Sequence, residues 1–156
     1  MDISADLVAP CSPAELFGWV DDLSRYPQWM GLVHRAEAIA PAQAPRDSSA
    51  ANSPSWDVEL RARIGPFARS KRLAMTRTVY APFSLVVFER AQTGERKQSV
   101  WRLSAAIEPV ESGTRLDMHL HYGGGLWTAG LLERALLDEI NASRDRLLAL
   151  LNTPTR

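Results

Sequence analysis

The chain has 156 residues, enough for one domain with its own core and too few for two ordinary domains, so residues 1–156 are predicted to form a single domain. It carries 18 basic and 18 acidic residues, and this balance excludes the positive charge typical of proteins that bind nucleic acid or an anionic membrane. The lone Cys11 rules out an internal disulfide, and neither a leader pattern nor an apolar run of membrane-spanning length is present, which predicts a soluble, cytoplasmic protein without integral membrane association.

The first two predicted elements are a strand over 2–9 and a helix that follows it. Apolar and polar residues alternate along the strand, which is typical of a half-buried strand. Ser12 is a favourable N-cap, Pro13 suits the first helical position, and Glu15 stands where a capping box requires it. Because a proline disfavours helical geometry at the residue before it, this helix is expected to end at Tyr26.

The middle of the chain alternates between short strands and turns. The segment 41–55 is rich in Pro, Ala and Ser, so it is predicted to be a surface loop. Six further strands are predicted. Alternation of apolar and polar residues predicts those at 56–64, 71–80, 99–109 and 114–122, a short apolar run predicts one at 84–90, and 33–40 is the remaining one. Short turns separate most of these strands, which indicates an antiparallel sheet of about seven strands.

The C-terminal segment changes to a helical period. From about residue 127 to 151, apolar residues recur at steps of three and four while charged residues occupy the other face. A sheet with one apolar face and a helix with one apolar stripe bury both surfaces if the sheet curves around the helix. The predicted fold class is α+β.

This order of elements resembles the START-like superfamily, also called SRPBCC or helix-grip, over nearly the whole chain. Two motifs carry the resemblance, and they match at these positions: Asp22, Tyr26, Pro27 and Trp29 in DLSRYPQW, and Gly113, Thr114 and Leu116 in SGTRL. Members similar to this chain are polyketide cyclase/dehydrase or lipid-transport proteins. The resemblance implies a curved antiparallel sheet around a long C-terminal helix, with a deep and mostly apolar cavity between them.

Such a cavity gives the YPQW segment two alternative roles. Pro27 would end the first helix at the cavity rim, and the two aromatic side chains would fill the gap between that helix and the sheet. Trp29 is then either a core residue alone or a residue that also contacts a ligand.

The predicted wall of the pocket combines aromatic side chains with methionine and leucine. Methionines adapt to a ligand and rings stack on it, so this composition suits a flat, hydrophobic molecule. The predicted wall residues are Trp56, Leu60, Met75, Trp101, Met118 and Leu120 from the strands, with Leu132, Leu136 and Ile140 from the long helix.

Three polar side chains fall in register with apolar residues that face inward. Arg77 follows Leu73 and Met75 in its strand, and Glu89 and Tyr122 occupy comparable places in theirs. A buried charge is costly without a partner. The first interpretation is an Arg77–Glu89 ion pair at the cavity mouth or a bulge that turns one residue outward. The second is that the three side chains orient the polar end of an apolar ligand.

Two groups of residues suggest a metal or a phosphate site, but each has a simpler explanation. His119 and His121 share a face of one strand, but they alternate with the apolar residues and are expected on the outer side. The glycines at 123–125 lack the Lys-Ser/Thr of a phosphate-binding loop, so they are interpreted as the entry to the long helix. Neither a metal nor another cofactor is expected.

Three functions remain open. The first is binding, transport or sequestration of a hydrophobic small molecule such as a lipid, an isoprenoid or an aromatic polyketide. The second is a polyketide aromatase/cyclase, in which an Arg or Tyr assists enolisation or loss of water from a folded chain. The third is a protein-interaction domain with a collapsed cavity. The sequence leaves catalysis and the oligomeric state undecided.

Overall fold

The computed structural model describes residues 2–40, 53–64, 66–91, 99–123 and 129–151. Within these ranges the elements are β1 Asp2–Ala9, α1 Pro13–Val20, a 3₁₀ helix Leu23–Gln28, β2 Val33–Ala38, β3 Ser55–Ile64, β4 Phe67–Ala81, β5 Leu85–Arg90, β6 Trp101–Val110, β7 Gly113–Tyr122 and α2 Ala129–Leu151. Most of the predicted loop at 41–55, the QTGER loop and two of the three glycines at 123–125 lie outside the described residues.

The strands form one antiparallel sheet that curls around α2. Their order is β1-β7-β6-β5-β4-β3-β2, so every strand after β2 pairs with its neighbour in sequence and β1 closes on β7. Helix α2 contacts β1 at one side of the sheet and β3 near the other. The predicted α+β helix-grip architecture, with seven strands and a short helix after the first, is confirmed.

The start of α1 agrees with its sequence pattern, but its predicted end is wrong. The Glu15 backbone N–H donates to Ser12 Oγ at 3.2 Å, and the proline occupies the first turn. The helix ends at Val20, and a separate 3₁₀ helix begins after Asp22, whose carboxylate accepts from the Ser24 N–H at 2.9 Å. Pro27 lies inside this 3₁₀ helix and does not terminate α1. The tighter turn succeeds because Asp22 offers a new N-cap directly after α1.

The aromatic pair of the YPQW segment fixes α1 to the rest of the core. Tyr26 is fully buried, and its hydroxyl donates to the Val20 carbonyl at 2.8 Å. The Trp29 indole N–H donates to the Trp19 carbonyl at 3.2 Å, and the Tyr26 and Trp29 ring centroids are 4.8 Å apart. Because both bonds end on carbonyl groups in the last turn of α1, these side chains satisfy acceptors that the helix itself leaves free.

The SGT segment forms the turn between β6 and β7 and joins it to the end of β1. Gly113 has φ of +143°, and a Cβ at this position would overlap the Ala9 carbonyl oxygen. The neighbouring Thr114 is fully buried, and its hydroxyl donates to the Cys11 carbonyl at 2.6 Å. The motif therefore has a structural reason: only glycine permits this backbone angle and this close approach.

Replacing Gly113 by Ala is expected to destabilise the protein by about 2 kcal/mol or more, because strained backbone and a main-chain clash add together. Gly18→Ala in α1 is the matched control, since its new Cβ would lie 3.7 Å from Arg25 Nη1, an ordinary contact. That control should stabilise the helix by about 0.5–1 kcal/mol. Urea unfolding measures both changes, and equal midpoints for Gly113→Ala and the unchanged protein would contradict this account of the turn.

Candidate functional site

The space between the concave face of the sheet and α2 holds an apolar cavity. Its volume is about 90 Å³, and its walls come from β1, β2, β3, β4, β6, β7, the 3₁₀ helix and the segment after it, and α2. A single water molecule needs about 10–15 Å³ of such space, so several fit here. Nearly all the lining side chains are apolar, which favours occupation by an apolar molecule.

Six of the predicted wall residues line this cavity, and they come from β3, β4, β6, β7 and α2. These residues are Leu60, Met75, Trp101, Met118, Leu120 and Ile140, and Trp29 lines the cavity as well. Since Trp29 also bonds to the main chain of α1, it has a structural role and lies in the cavity wall.

The other predicted wall residues are placed differently. Trp56 is buried, but its ring packs edge-on against Phe88 at 5.5 Å between centroids, outside the cavity lining. Leu132 and Leu136 belong to α2, and their side chains lie outside the described part of the structure. The ligand contacts assigned to these three residues stay predictions.

Helix α2 is held above the cavity by polar contacts on two sides. The Ser143 hydroxyl donates to the Glu139 carbonyl at 2.6 Å and accepts from the Gly31 N–H at 3.3 Å. Towards β1, the Arg144 guanidinium donates to the Asp6 carbonyl at 3.4 Å. Both contacts come from the middle of the helix, so they set its height above the sheet.

Arg77 lies on the concave face, but towards α1. Its guanidinium donates to the Asp21 carbonyl at 3.2 Å and stands 4.0 Å from the centroid of the Tyr80 ring. Burial raises the pKa of the Asp21 carboxyl, and the charge of Arg77 partly offsets that rise. The register shifts between Arg77 and Val79, so a bulge of the kind that the first interpretation named lies directly after Arg77. Arg77 is not among the residues that line the cavity, and its ligand role stays a prediction.

The inward placement of Glu89 is wrong. Glu89 lies opposite Arg102 in the β5–β6 ladder and forms an ion pair with it at 3.8 Å, both side chains being about half exposed on the convex face. Val86 and Phe88 occupy the concave face of β5 instead, and both are fully buried. Four consecutive apolar residues precede Glu89, so alternation by itself does not identify which set of them faces inward.

The far end of the concave face carries two cations that the sequence analysis missed. Lys71 Nζ contacts Ser99 Oγ at 3.5 Å, and Arg90 Nη1 donates to the same oxygen at 3.1 Å. Beside them the rings of Trp101 and Tyr122 stack at 4.8 Å, with Lys71 Nζ 5.7 Å from the Trp101 ring centroid. Tyr122 therefore faces inward as predicted, although it does not line the cavity.

A sequence signal for these two cations was available. Lys71 is two residues before the inward Leu73, and Arg90 is two residues after the inward Phe88. Burial lowers the pKa of the Lys71 amine, and the nearby charge of Arg90 lowers it further. Burial also lowers the pKa of Arg90.

The histidine pair lies on the convex face, where its position in the strand predicted it. His119 Nε2 and His121 Nδ1 contact the same Asp2 carboxylate oxygen at 2.8 and 2.9 Å, and these hydrogen bonds lower the pKa of Asp2. Among the residues that the structure describes, no group of three His, Cys, Asp or Glu side chains is arranged to hold a metal ion. None of the helices described is long and apolar enough to cross a membrane.

Comparisons with known proteins give matches in structure only. No protein-family model matches the chain, and no curated protein matches it in sequence. A START superfamily protein from Mycobacterium smegmatis aligns with a TM-score of 0.65 at 17% identity, over 96% of this chain and 98% of that one. The ZhuI aromatase/cyclase from Streptomyces sp. R1128 aligns with a TM-score of 0.64 at 8% identity, over 97% of this chain and 93% of that one.

A third similar structure is about twice as long. The di-domain aromatase/cyclase BexL of the BE-7585A biosynthetic pathway aligns with a TM-score of 0.67 at 11% identity, over 99% of this chain and 51% of that one. All three alignments cover almost the whole of this chain, and the strand order and long final helix described above agree with them. The chain therefore has the START-like, helix-grip fold that polyketide aromatase/cyclases share.

Proposed function

We propose that the protein binds a hydrophobic small molecule, such as a lipid, an isoprenoid or an aromatic polyketide, in the cavity between the sheet and α2. The observation that carries this proposal is the apolar cavity itself, whose walls are almost free of polar groups. An empty apolar cavity loses the dispersion contacts that a filled one has. A ligand that enters restores these contacts and removes its own apolar surface from water, which contributes about 25 cal/mol per Å².

The aromatic and thioether side chains in the wall favour a ligand with flat or irregular apolar surface. Trp29 and Trp101 contribute aromatic side chains to the wall, while Met75 and Met118 adapt to the shape of what they contact. Binding of this kind requires neither a metal nor another cofactor. It suits transport or sequestration of a molecule that is poorly soluble in water.

Filling the cavity with a protein side chain is expected to block binding. Ala5 lines the cavity from β1, so Ala5→Phe should occupy the space and weaken uptake of the fluorescent probe N-phenylnaphthylamine by about tenfold or more. Ala106→Phe is the matched control, because Ala106 is exposed between the inward residues Ala105 and Ile107 of β6. Probe fluorescence, together with native mass spectrometry of ligands that co-purify, measures the effect.

If the probe binds in the cavity, the two variants should differ in probe uptake. Uptake should survive in Ala106→Phe and disappear in folded Ala5→Phe, with circular dichroism as the check on folding. Probe binding that is equal in all three proteins would place the binding surface outside the cavity and refute the proposal.

A second candidate function is aromatase/cyclase activity. Two of the similar structures are aromatase/cyclases, and their likeness extends over 97% and 99% of this chain. In this candidate the cavity folds a reactive polyketide chain, and an Arg or Tyr assists enolisation or loss of water. Arg77 and Tyr122, which lie on the concave face outside the cavity lining, are the residues of these types to test.

Substitution of these two residues tests the enzymatic candidate separately from binding. Arg77→Met and Tyr122→Phe should each lower turnover of a model polyketide thioester by about a hundredfold, the usual contribution of acid-base assistance, while affinity for that thioester stays the same. Turnover is followed by product absorbance and affinity by probe displacement. Equal loss of turnover and affinity, or no turnover by the unchanged protein, would leave binding alone as the function.

A further inference from the structure

The cavity ends, on the side away from α1, at a row of polar and aromatic side chains on the concave face. Lys71 lies opposite Leu60 in the β3–β4 ladder, and Arg90 lies opposite Met75 in the β4–β5 ladder. Directly opposite residues of an antiparallel pair point to the same face of the sheet. Leu60 and Met75 both line the cavity, as does Trp101, so the two cations stand on the cavity side of the sheet.

These two cations have no carboxylate partner in the described part of the chain. Within the described residues, their hydrogen bonds go to the hydroxyl and carbonyl of Ser99, at distances from 3.1 to 3.5 Å, and Lys71 also stands over the Trp101 ring. On the convex face the pattern is different, because Arg72 bonds to Asp57 at 2.6 Å and Arg102 pairs with Glu89. Partial burial of two like charges without a counter-ion is unfavourable, so an anion placed between them would be stabilised.

A buried N–H beside these cations also lacks an acceptor among the residues that the structure describes. This donor is Trp101 Nε1. An unsatisfied buried donor costs about 1–3 kcal/mol, and native proteins contain few of them. Its ring lies in the cavity wall, and Lys71 stands over that ring. An oxygen atom of a molecule bound in the cavity would accept a hydrogen bond from this N–H.

We propose that the molecule bound in the cavity is an amphipathic anion, whose apolar body fills the cavity and whose carboxylate or phosphate group is held by Lys71, Arg90 and the indole N–H of Trp101. This inference rests on the proposed binding function. The two cationic nitrogen atoms contact one Ser99 oxygen, at 3.5 and 3.1 Å, so they are close enough together to share one head group. Arg77 is occupied by the Asp21 carbonyl at the other end, which leaves this end to orient the ligand.

Three ligands with the same ten-carbon chain test the head-group site. Decanoate, decyl phosphate and decanol compete with N-phenylnaphthylamine for the unchanged protein, for the double variant Lys71→Gln/Arg90→Gln and for the control Arg72→Gln. Both anions, or the one whose geometry fits, should bind about tenfold more tightly than decanol, because only they bring a negative charge to the two cations. The anion that binds more tightly shows whether the site favours a carboxylate or a phosphate head group.

The double variant should lose this preference while its affinity for decanol is unchanged, which also shows that the variant is folded. Arg72→Gln removes a cation from the neighbouring residue on the convex face and should keep the preference. Equal binding of decanol and both anions by the unchanged protein, or an anion preference that survives in the double variant, would overturn the head-group site and leave cavity binding intact. Failure of the probe and all three ligands to bind would overturn both proposals.

Discussion

The candidate site depends on the height at which α2 lies above the curled sheet. The sheet brings β1 and β3 to the two sides of the helix, and polar contacts from Ser143 and Arg144 fix the helix to backbone groups on either side. Close packing alone would draw an apolar helix down onto an apolar sheet. Here the helix is supported from its sides, and large side chains such as Trp101 and Met118 line the space that remains beneath it.

The two sequence motifs of the fold fix α1 and the β6–β7 turn to neighbouring parts of the chain. The YPQW segment places Tyr26 and Trp29 against the last turn of α1, where their polar atoms bond to backbone carbonyl groups. Gly113 and Thr114 join the β6–β7 turn to the chain after β1. Both motifs therefore stabilise elements that surround the cavity.

Polar groups are distributed unequally between the two ends of the concave face. At the α1 end, the Arg77 charge is used inside the protein by the Asp21 carbonyl and the Tyr80 ring. At the opposite end, the hydrogen bonds of Lys71 and Arg90 within the described residues go to Ser99, and Lys71 also stands 5.7 Å from the centroid of the Trp101 ring. A molecule with one apolar end and one charged end therefore meets complementary surroundings in a single orientation. A mostly apolar site distinguishes ligands of similar size through a few polar groups that fix their orientation.

The sequence by itself determined the fold class, the start of α1, the strand order along the chain and several residues that line the cavity, because these follow from local periodicity and capping. Tertiary structure alone decided which face Glu89 occupies, since β5 is apolar on both sides, and where α1 ends, since a second N-cap competes with Pro27. It also decided that Lys71 and Arg90 meet at Ser99, because cross-strand register brings together residues that are far apart in sequence.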